Sequence, residues 1–325
     1  MEEENGLKTT VVIPNYNGEK YLAECLRSLE ASEKERPAVL VVDNGSGDGS
    51  AEAAKAAFPW IELVRFPENR GFCAAANEGI RRSGTPYVFL LNNDTVVRPG
   101  CVSALERRLE KDERLFSVSA CMVDMKNPDR MDGAGDRYSA LGWAYAIGKG
   151  RKAADCGKPC PVFSACAGAA LYRKSALRKT GDFDELHFAY LEDVDLGYRA
   201  RILGFRNAYE PSAVVLHAGS ATSGSRYNTF KVFHSARNNV YLIYKNMPPL
   251  QLLLNLPFLL VGFLAKTLFF LKKGYGKTYV KGLGAGIRLC ASQEARARRV
   301  RFKGRNLGNY IRIQVELWLN MFRRS

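Results

Sequence analysis

Along the chain as far as Leu91, apolar and polar positions follow two alternating rhythms. Thr9–Ile13, Ala38–Val42, Ile61–Phe66 and Tyr87–Leu91 read as strands, and the short, fully apolar Ala38–Val42 predicts a buried parallel one. Between them, Glu19–Leu29 places Tyr21, Leu22, Cys25, Leu26 and Leu29 on one helical stripe. Ser50–Ala57 is Ala-rich, and Cys73–Arg82 supplies a third helical stretch. This alternation predicts an α/β fold with a mainly parallel central sheet. Ligands of such sheets bind beyond the carboxyl ends of the strands. Pro14-Asn15-Tyr16-Asn17, Asp43-Asn44 and Asn92-Asn93-Asp94 stand at those ends, so polar groups converge on one rim.

The pattern then loosens. Met131–Gly150 is rich in Gly and aromatics without a helical period, and reads as a hairpin or mobile loop. Val162–Tyr172 reads as one strand, and Ala213–Leu216 as another that ends at His217. Leu191–Leu203 is helical, with Leu191, Val194, Tyr198 and Ile202 on one stripe; Asp195 and Arg199 read as a surface i,i+4 pair. Phe230–Tyr244 and Tyr310–Phe322 are further helices. Leu250–Leu271 is strongly apolar but contains Gln251, Asn255, Pro257 and Lys266. Its longest unbroken stretch, Leu256–Ala265, is half of the roughly 20 residues a spanning helix needs, so it is expected to lie in a membrane interface.

Charge sharpens the division. The 325 residues carry a formal +15, yet Lys245–Ser325 holds 16 Lys/Arg against Glu294 and Glu316, leaving the rest nearly neutral. The chain reads as a body at 1–226 and a basic helical region at 227–325. Apolar faces beside dense Lys/Arg fit an anionic membrane surface. Nucleic acid is excluded as partner, because a basic nucleic-acid arm has no use for Leu250–Leu271. The acidic start, Met1-Glu2-Glu3-Glu4, lacks signal-peptide character, so the expected place is the cytoplasmic face of the cell membrane. Eight scattered cysteines without a Cys-x-x-Cys pair, and three histidines, argue for reduced thiols rather than a metal framework.

Val12-Ile13-Pro14-Asn15-Tyr16-Asn17-Gly18, Val42-Asp43-Asn44-Gly45-Ser46, Asn69-Arg70-Gly71-Phe72, Asn92-Asn93-Asp94, Tyr190-Leu191-Glu192-Asp193-Val194-Asp195 and His217 occur in an order that resembles family 2 glycosyltransferases of GT-A fold, in their bacterial rhamnosyltransferase-like branch. The resemblance covers roughly residues 9–245. It implies an inverting transferase that uses a nucleotide-activated sugar, dTDP-rhamnose first and UDP-sugars as the alternative. The implied acceptor is a polyprenyl-diphosphate-linked sugar or glycan, and a homodimer is allowed. Pro14, Asn15, Asn17, Asp43, Arg70, Gly71, Asn92, Asn93 and Asp94 would face the donor nucleotide, and Arg237 its diphosphate. Asp94 and His217 would hold Mn²⁺ or Mg²⁺, a cation suited to a diphosphate leaving group. Asp193 would be the general base, with Glu192 beside it near the acceptor. Trp143 and Gly168 would line the acceptor site, and Tyr145 would stack there too. His187 and His234 are expected at the periphery of the site or at the surface. A nicotinamide-dependent oxidoreductase would need Gly-x-Gly-x-x-Gly after the first strand, where Pro14-Asn15-Tyr16-Asn17-Gly18 stands. A non-catalytic membrane scaffold is the remaining alternative.

Overall fold

The computed structural model describes residues 6–219 and 227–323; Ser220 and the junction expected at residue 226 lie outside them. The strands are β1 (Thr9–Asn15), β2 (Ala38–Asp43), β3 (Glu62–Arg65), β4 (Tyr87–Leu91), β5 (Thr95–Val97), β6 (Leu115–Asp124), β7 (Asn127–Gly133), β8 (Asp136–Tyr138), β9 (Ala144–Ala146), β10 (Cys160–Val162), β11 (Ala169–Arg173) and β12 (Arg206–His217). The helices of the body are α1 (Leu22–Glu30), α2 (Ser50–Ala57), α3 (Phe72–Arg82), α4 (Cys101–Glu110), α5 (Lys174–Thr180) and α6 (Glu192–Ile202). They are followed by α7 (Thr229–Asn246), α8 (Pro249–Lys272), α9 (Gly276–Ala291), α10 (Gln293–Ala297) and α11 (Leu307–Leu319).

The main sheet runs β10-β12-β6-β11-β4-β1-β2-β3. β3, β2, β1 and β4 are parallel, and β12 is parallel to β6. β11 lies antiparallel between β4 and β6. Along this path the sheet is therefore mainly parallel, with β11 and the edge strand β10 reversed, the GT-A arrangement. Its apolar strands are covered by one cluster around Ile13, Leu26, Phe89 and Leu105, and by another around Val12, Leu90, Tyr172 and Leu196.

Several expectations change. Val162–Tyr172 is two strands separated by residues 163–168, because Val162 pairs with β12 while Ala169–Arg173 pairs with β4. β3, at the edge of the sheet, is half exposed and shorter than the expected Ile61–Phe66. Ala213–Leu216 is only the end of β12, whose register shifts between Glu210 and Val214. α4 and β6 had no counterpart in the pattern. The 131–150 stretch contains an antiparallel hairpin, β8 with β9. Asp195 and Arg199 do pair, at 2.8 Å, but both are buried, not at the surface.

The C-terminal helices share a core with the body. Tyr138, Phe163, Val194, Tyr198 and Ile202 cluster with Leu242, Ile243, Met247, Leu259, Tyr310, Ile313 and Leu317. α8 is a continuous helix of 24 residues, about 36 Å long at 1.5 Å per residue, despite Pro257. It is long and apolar enough to cross a membrane, and little of it is buried. Its polar residues face inward. Asn255 and Gln314 of α11 exchange two hydrogen bonds of 2.8 Å, and the Tyr198 hydroxyl donates to Gln251. Leu250, Leu253, Leu260, Val261 and Leu264 point outward, each at least 60% exposed.

Candidate active site

The rim forms where the strands end. Asn15 closes β1, and its side-chain amide donates to Asp43 at the end of β2 (3.0 Å) and to Ser50 (3.0 Å). The Asn93 amide donates to Asn15 Oδ1 at 2.8 Å. Asn15 and Asp43 are fully buried and Asn93 nearly so, which makes them a hydrogen-bonded floor beneath the rim. Pro14 packs within β1. Asn17 adopts φ 50°, and its Oδ1 accepts from the Gly47 amide. Tyr16, Asn17, Glu19, Lys20, Gly45, Gly47 and Asp48, in the loops that follow β1 and β2, line an open depression of about 690 Å³.

On the far side, Arg70 lies over the Phe66 ring and 3.9 Å from Glu185. Gly71 has φ 86°, ψ 163° and lies hard against Phe188; a Cβ there would sit 2.6 Å from the Phe188 ring. Only glycine adopts that conformation without strain.

Asp94 and His217 come together from distant segments, because β5 pairs with the end of β12. His217 Nε2 is 3.3 Å from Asp94 Oδ1, and His217 Nδ1 is 2.7 Å from Asp132. Burial alone would lower the imidazole pKa, but its bonds to Asp132 and Asp94 raise it to about 9. Asp132 is pulled well below the usual carboxylate range: hydrogen bonds from His217 and Lys149 outweigh its burial. A carboxylate and an imidazole nitrogen facing one point, the imidazole backed by a second carboxylate, is a donor set that fits a divalent cation. Sequence reasoning missed Asp132; its only signal was an acid amid the glycines of Asp132-Gly133-Ala134-Gly135.

The second cluster lies at the start of α6. Asp193 is half-buried, with Oδ2 taking the Ala167 amide (3.4 Å) and Oδ1 its neighbour's amide at Val194 (2.8 Å). Its carboxylate, that of Asp136 on the β8 hairpin and the Cys166 thiol lie within 4.8 Å of one another. Burial raises Asp193 to about 6. Burial, then the charges of Asp193 and Asp136, raise Glu192 to about 8, and its buried Oε2 lacks a partner. Asp136 is also raised, by burial and by Asp193. Carboxyls tuned toward neutrality in a cleft suit proton transfer.

The remaining expected residues fall elsewhere or do other work. Trp143 packs on α8: its indole donates to the Gly262 carbonyl (3.1 Å), and Lys266 lies over the ring. Tyr145 donates to the Asn320 carbonyl. Both side chains are thus tied to the C-terminal helical region. Gly168 lies against Asn92, where a Cβ would be 3.1 Å from the side-chain amide. Arg237 is committed to the carbonyls of Leu186 (2.5 Å) and His187 (2.9 Å) rather than reaching a diphosphate. His187 is buried, not at the surface; burial lowers it to about 4 and neither ring nitrogen has a partner. His234 stacks on Phe188. Asp195, Asp184 and Lys245 form a buried ion cluster behind α6, with Lys245 Nζ 2.7 Å from Asp184 and 2.8 Å from Asp195.

An open depression beside the carboxyl ends of a GT-A sheet, a carboxylate–imidazole pair and a buried carboxyl cluster are features that a nucleotide-sugar-dependent transferase would use. The sequence model of glycosyl transferase family 2 matches residues 10–181, and the chain belongs to that family. It is 29% identical over 262 residues to an N-acetylglucosaminyl-diphospho-decaprenol L-rhamnosyltransferase of Mycobacterium tuberculosis, covering 71% of this chain and 83% of that one. This similarity places it in the rhamnosyltransferase-like branch. Among solved structures it resembles a mannosyltransferase of Pyrobaculum calidifontis in complex with GDP-Man and Mn²⁺ (TM-score 0.55, 18% identity, 97% of this chain and 86% of that one). It also resembles GalNAc-T7 with UDP, GalNAc and Mn²⁺ (TM-score 0.58, 15% identity, 75% and 48%). The protein is a glycosyltransferase, and the family makes it a hexosyltransferase.

Proposed function

We propose that this glycosyltransferase moves rhamnose, with inversion, from dTDP-rhamnose to a polyprenyl-diphosphate-linked sugar at the cytoplasmic face of the membrane. The observation that carries the reading is the pair of clusters: Asp94–His217 on one side and Asp193–Glu192–Asp136 on the other. The 29% identity to a rhamnosyltransferase acting on a lipid-diphosphate sugar supports the donor and acceptor classes. The depression between Tyr16 and Asp48 takes the nucleoside. Asp94 and His217 would hold Mn²⁺ or Mg²⁺, which supplies neutralisation of the departing diphosphate. Asp132 keeps the His217 ring in place through Nδ1. Asp193 takes the proton from the acceptor hydroxyl; that oxygen bonds to the anomeric carbon as the bond to the diphosphate oxygen breaks. Glu192, neutral at pH 7, offers an O–H to the acceptor sugar.

The inward polar and outward apolar faces of α8 support a lipid contact, since this is the reverse of a helix packed in water. The basic residues after it suit an anionic leaflet. The reading is tested by transfer from dTDP-rhamnose, against UDP-glucose and UDP-GlcNAc, to a polyprenyl-diphosphate-GlcNAc acceptor in detergent. Product from dTDP-rhamnose, lost in EDTA and regained with Mn²⁺ or Mg²⁺, is expected. Turnover with a UDP-sugar alone overturns the donor, and full activity in EDTA overturns the metal.

A further inference from the structure

The backbone leading into α6 is strained. Phe188, Tyr190 and Leu191 have φ of 63°, 73° and 65°, so three of four consecutive residues with side chains occupy the region that favours glycine. The next two residues are Glu192 and Asp193. Strain of this kind persists only where the surroundings over-determine it.

One buried side chain spans the segment and contributes directly to that determination. Asn238 of α7 is fully buried, and its Nδ2 reaches the carbonyls of His187 (2.8 Å), Ala189 (2.8 Å) and Tyr190 (2.7 Å). Two N–H groups thus serve three carbonyls of the strained segment. Its Oδ1 accepts from Arg237 Nε at 2.9 Å, and Arg237 holds the carbonyls of Leu186 and His187. α7 itself is seated by Gly282 and Gly286 of α9, whose absent side chains admit the carbonyls of Phe233 and Arg237. We infer that Asn238 is a positioning residue of the reaction: it clamps residues 187–190 in their strained path and so aims the Glu192–Asp193 pair. The inference rests on Asp193 being the base, but the clamp can be read without it.

The test replaces Asn238 by Leu, which keeps the volume and removes both donors. In the full-length protein, amide hydrogen exchange should speed up at residues 187–195 and stay unchanged in β1, β2 and β4. Transfer from dTDP-rhamnose should fall by about 10²-fold in kcat, as expected for a misplaced reacting group. dTDP affinity, read by thermal shift, should stay within about twofold of the unaltered protein. The acid limb of the pH–rate profile should move, because Asp193 leaves its present surroundings. Asn238→Ser, which keeps one donor, should fall between; it carries the test if the Leu variant does not fold. Unchanged exchange at 187–195, exchange raised evenly across the sheet, or altered exchange with unchanged kcat overturns the clamp. Asp193→Asn serves as the separate arm: if that variant stays active, the base assignment fails, while the exchange result still decides the clamp.

Discussion

The base role proposed for Asp193 draws on an unfavourable location. Its ordinary carboxyl range lies near 4, and burial lifts it to about 6 despite amides from Ala167 and Val194. A base must be ionised to act, so kcat should fall about tenfold per unit as pH drops below 6. Removing the charge in Asp193→Asn should cut kcat by at least about 10²-fold and leave dTDP binding near normal; steady-state kinetics with thermal shift checks both. The same shift acts on stability with a definite sign. A folded-state carboxyl raised above its unfolded value holds its proton longer, so its ionisation costs stability as pH rises through about 4 to 6 and nothing further above. The asparagine variant should lose that dependence.

Among the elements, α6 is held from behind as well as aimed from in front. Lys245 of α7 joins Asp184 and Asp195, and Asn246 donates to Asp195 at 2.7 Å. Burial would raise Asp184, yet the Lys245 ammonium brings it down to about 2. Lys245→Met leaves two buried carboxylates short of a cation and should cost about 3–5 kcal/mol, as broken buried pairs do. Denaturant unfolding at pH 7 would measure it. Because both carboxyls are held below their ordinary values, Asp195 further than Asp184, the contribution is present above about pH 4 and fades as pH falls through about 2 and below, so the gap between the two proteins should shrink steadily over that range. The Asp195-x-x-x-Arg199 spacing was readable; Lys245 was not, since nothing local in the sequence points across fifty residues of separation. Asp132 and Asp136 escaped for the same reason. β6 escaped for another: Ser117 and Ser119 interrupt its apolar run, and only the fold shows Ser117 bonded to Asn207 inside the sheet. By contrast, β1, β2 and β4 and the residues at their ends were legible, because buried parallel strands announce themselves as apolar runs with polar stops.

For the whole molecule, the two halves differ in what they offer the surroundings. The body is nearly neutral, and the C-terminal helices add an exposed apolar surface with a net positive charge. The protein should bind vesicles containing phosphatidylglycerol more strongly than neutral ones, and added salt should weaken that binding without abolishing it. Changing Leu253, Leu260 and Leu264 together to Ser should reduce sedimentation with either vesicle. If flotation shows the variant bound as before, the outward face of α8 is not what meets the lipid. The pairing of Asn255 with Gln314 bears on the same question. It turns Asn255 inward on a helix whose sequence alone, interrupted by that residue with Gln251, Pro257 and Lys266, had argued for a broken apolar stretch.

Gly262 carries a consequence of its own. A methyl group there would stand 2.0 Å from the Leu141 carbonyl, and two residues on, Trp143 is fastened to the same turn of α8. The tip of the hairpin that bears Asp136 therefore rests on the anchoring helix with no clearance at all. Gly262→Ala, the smallest addition possible, should pry hairpin and helix apart, leaving vesicle capture intact while transfer slows and the indole's emission shifts. If α8 meets a bilayer as proposed, the thickness and curvature of that bilayer would be felt at the hairpin that bears Asp136.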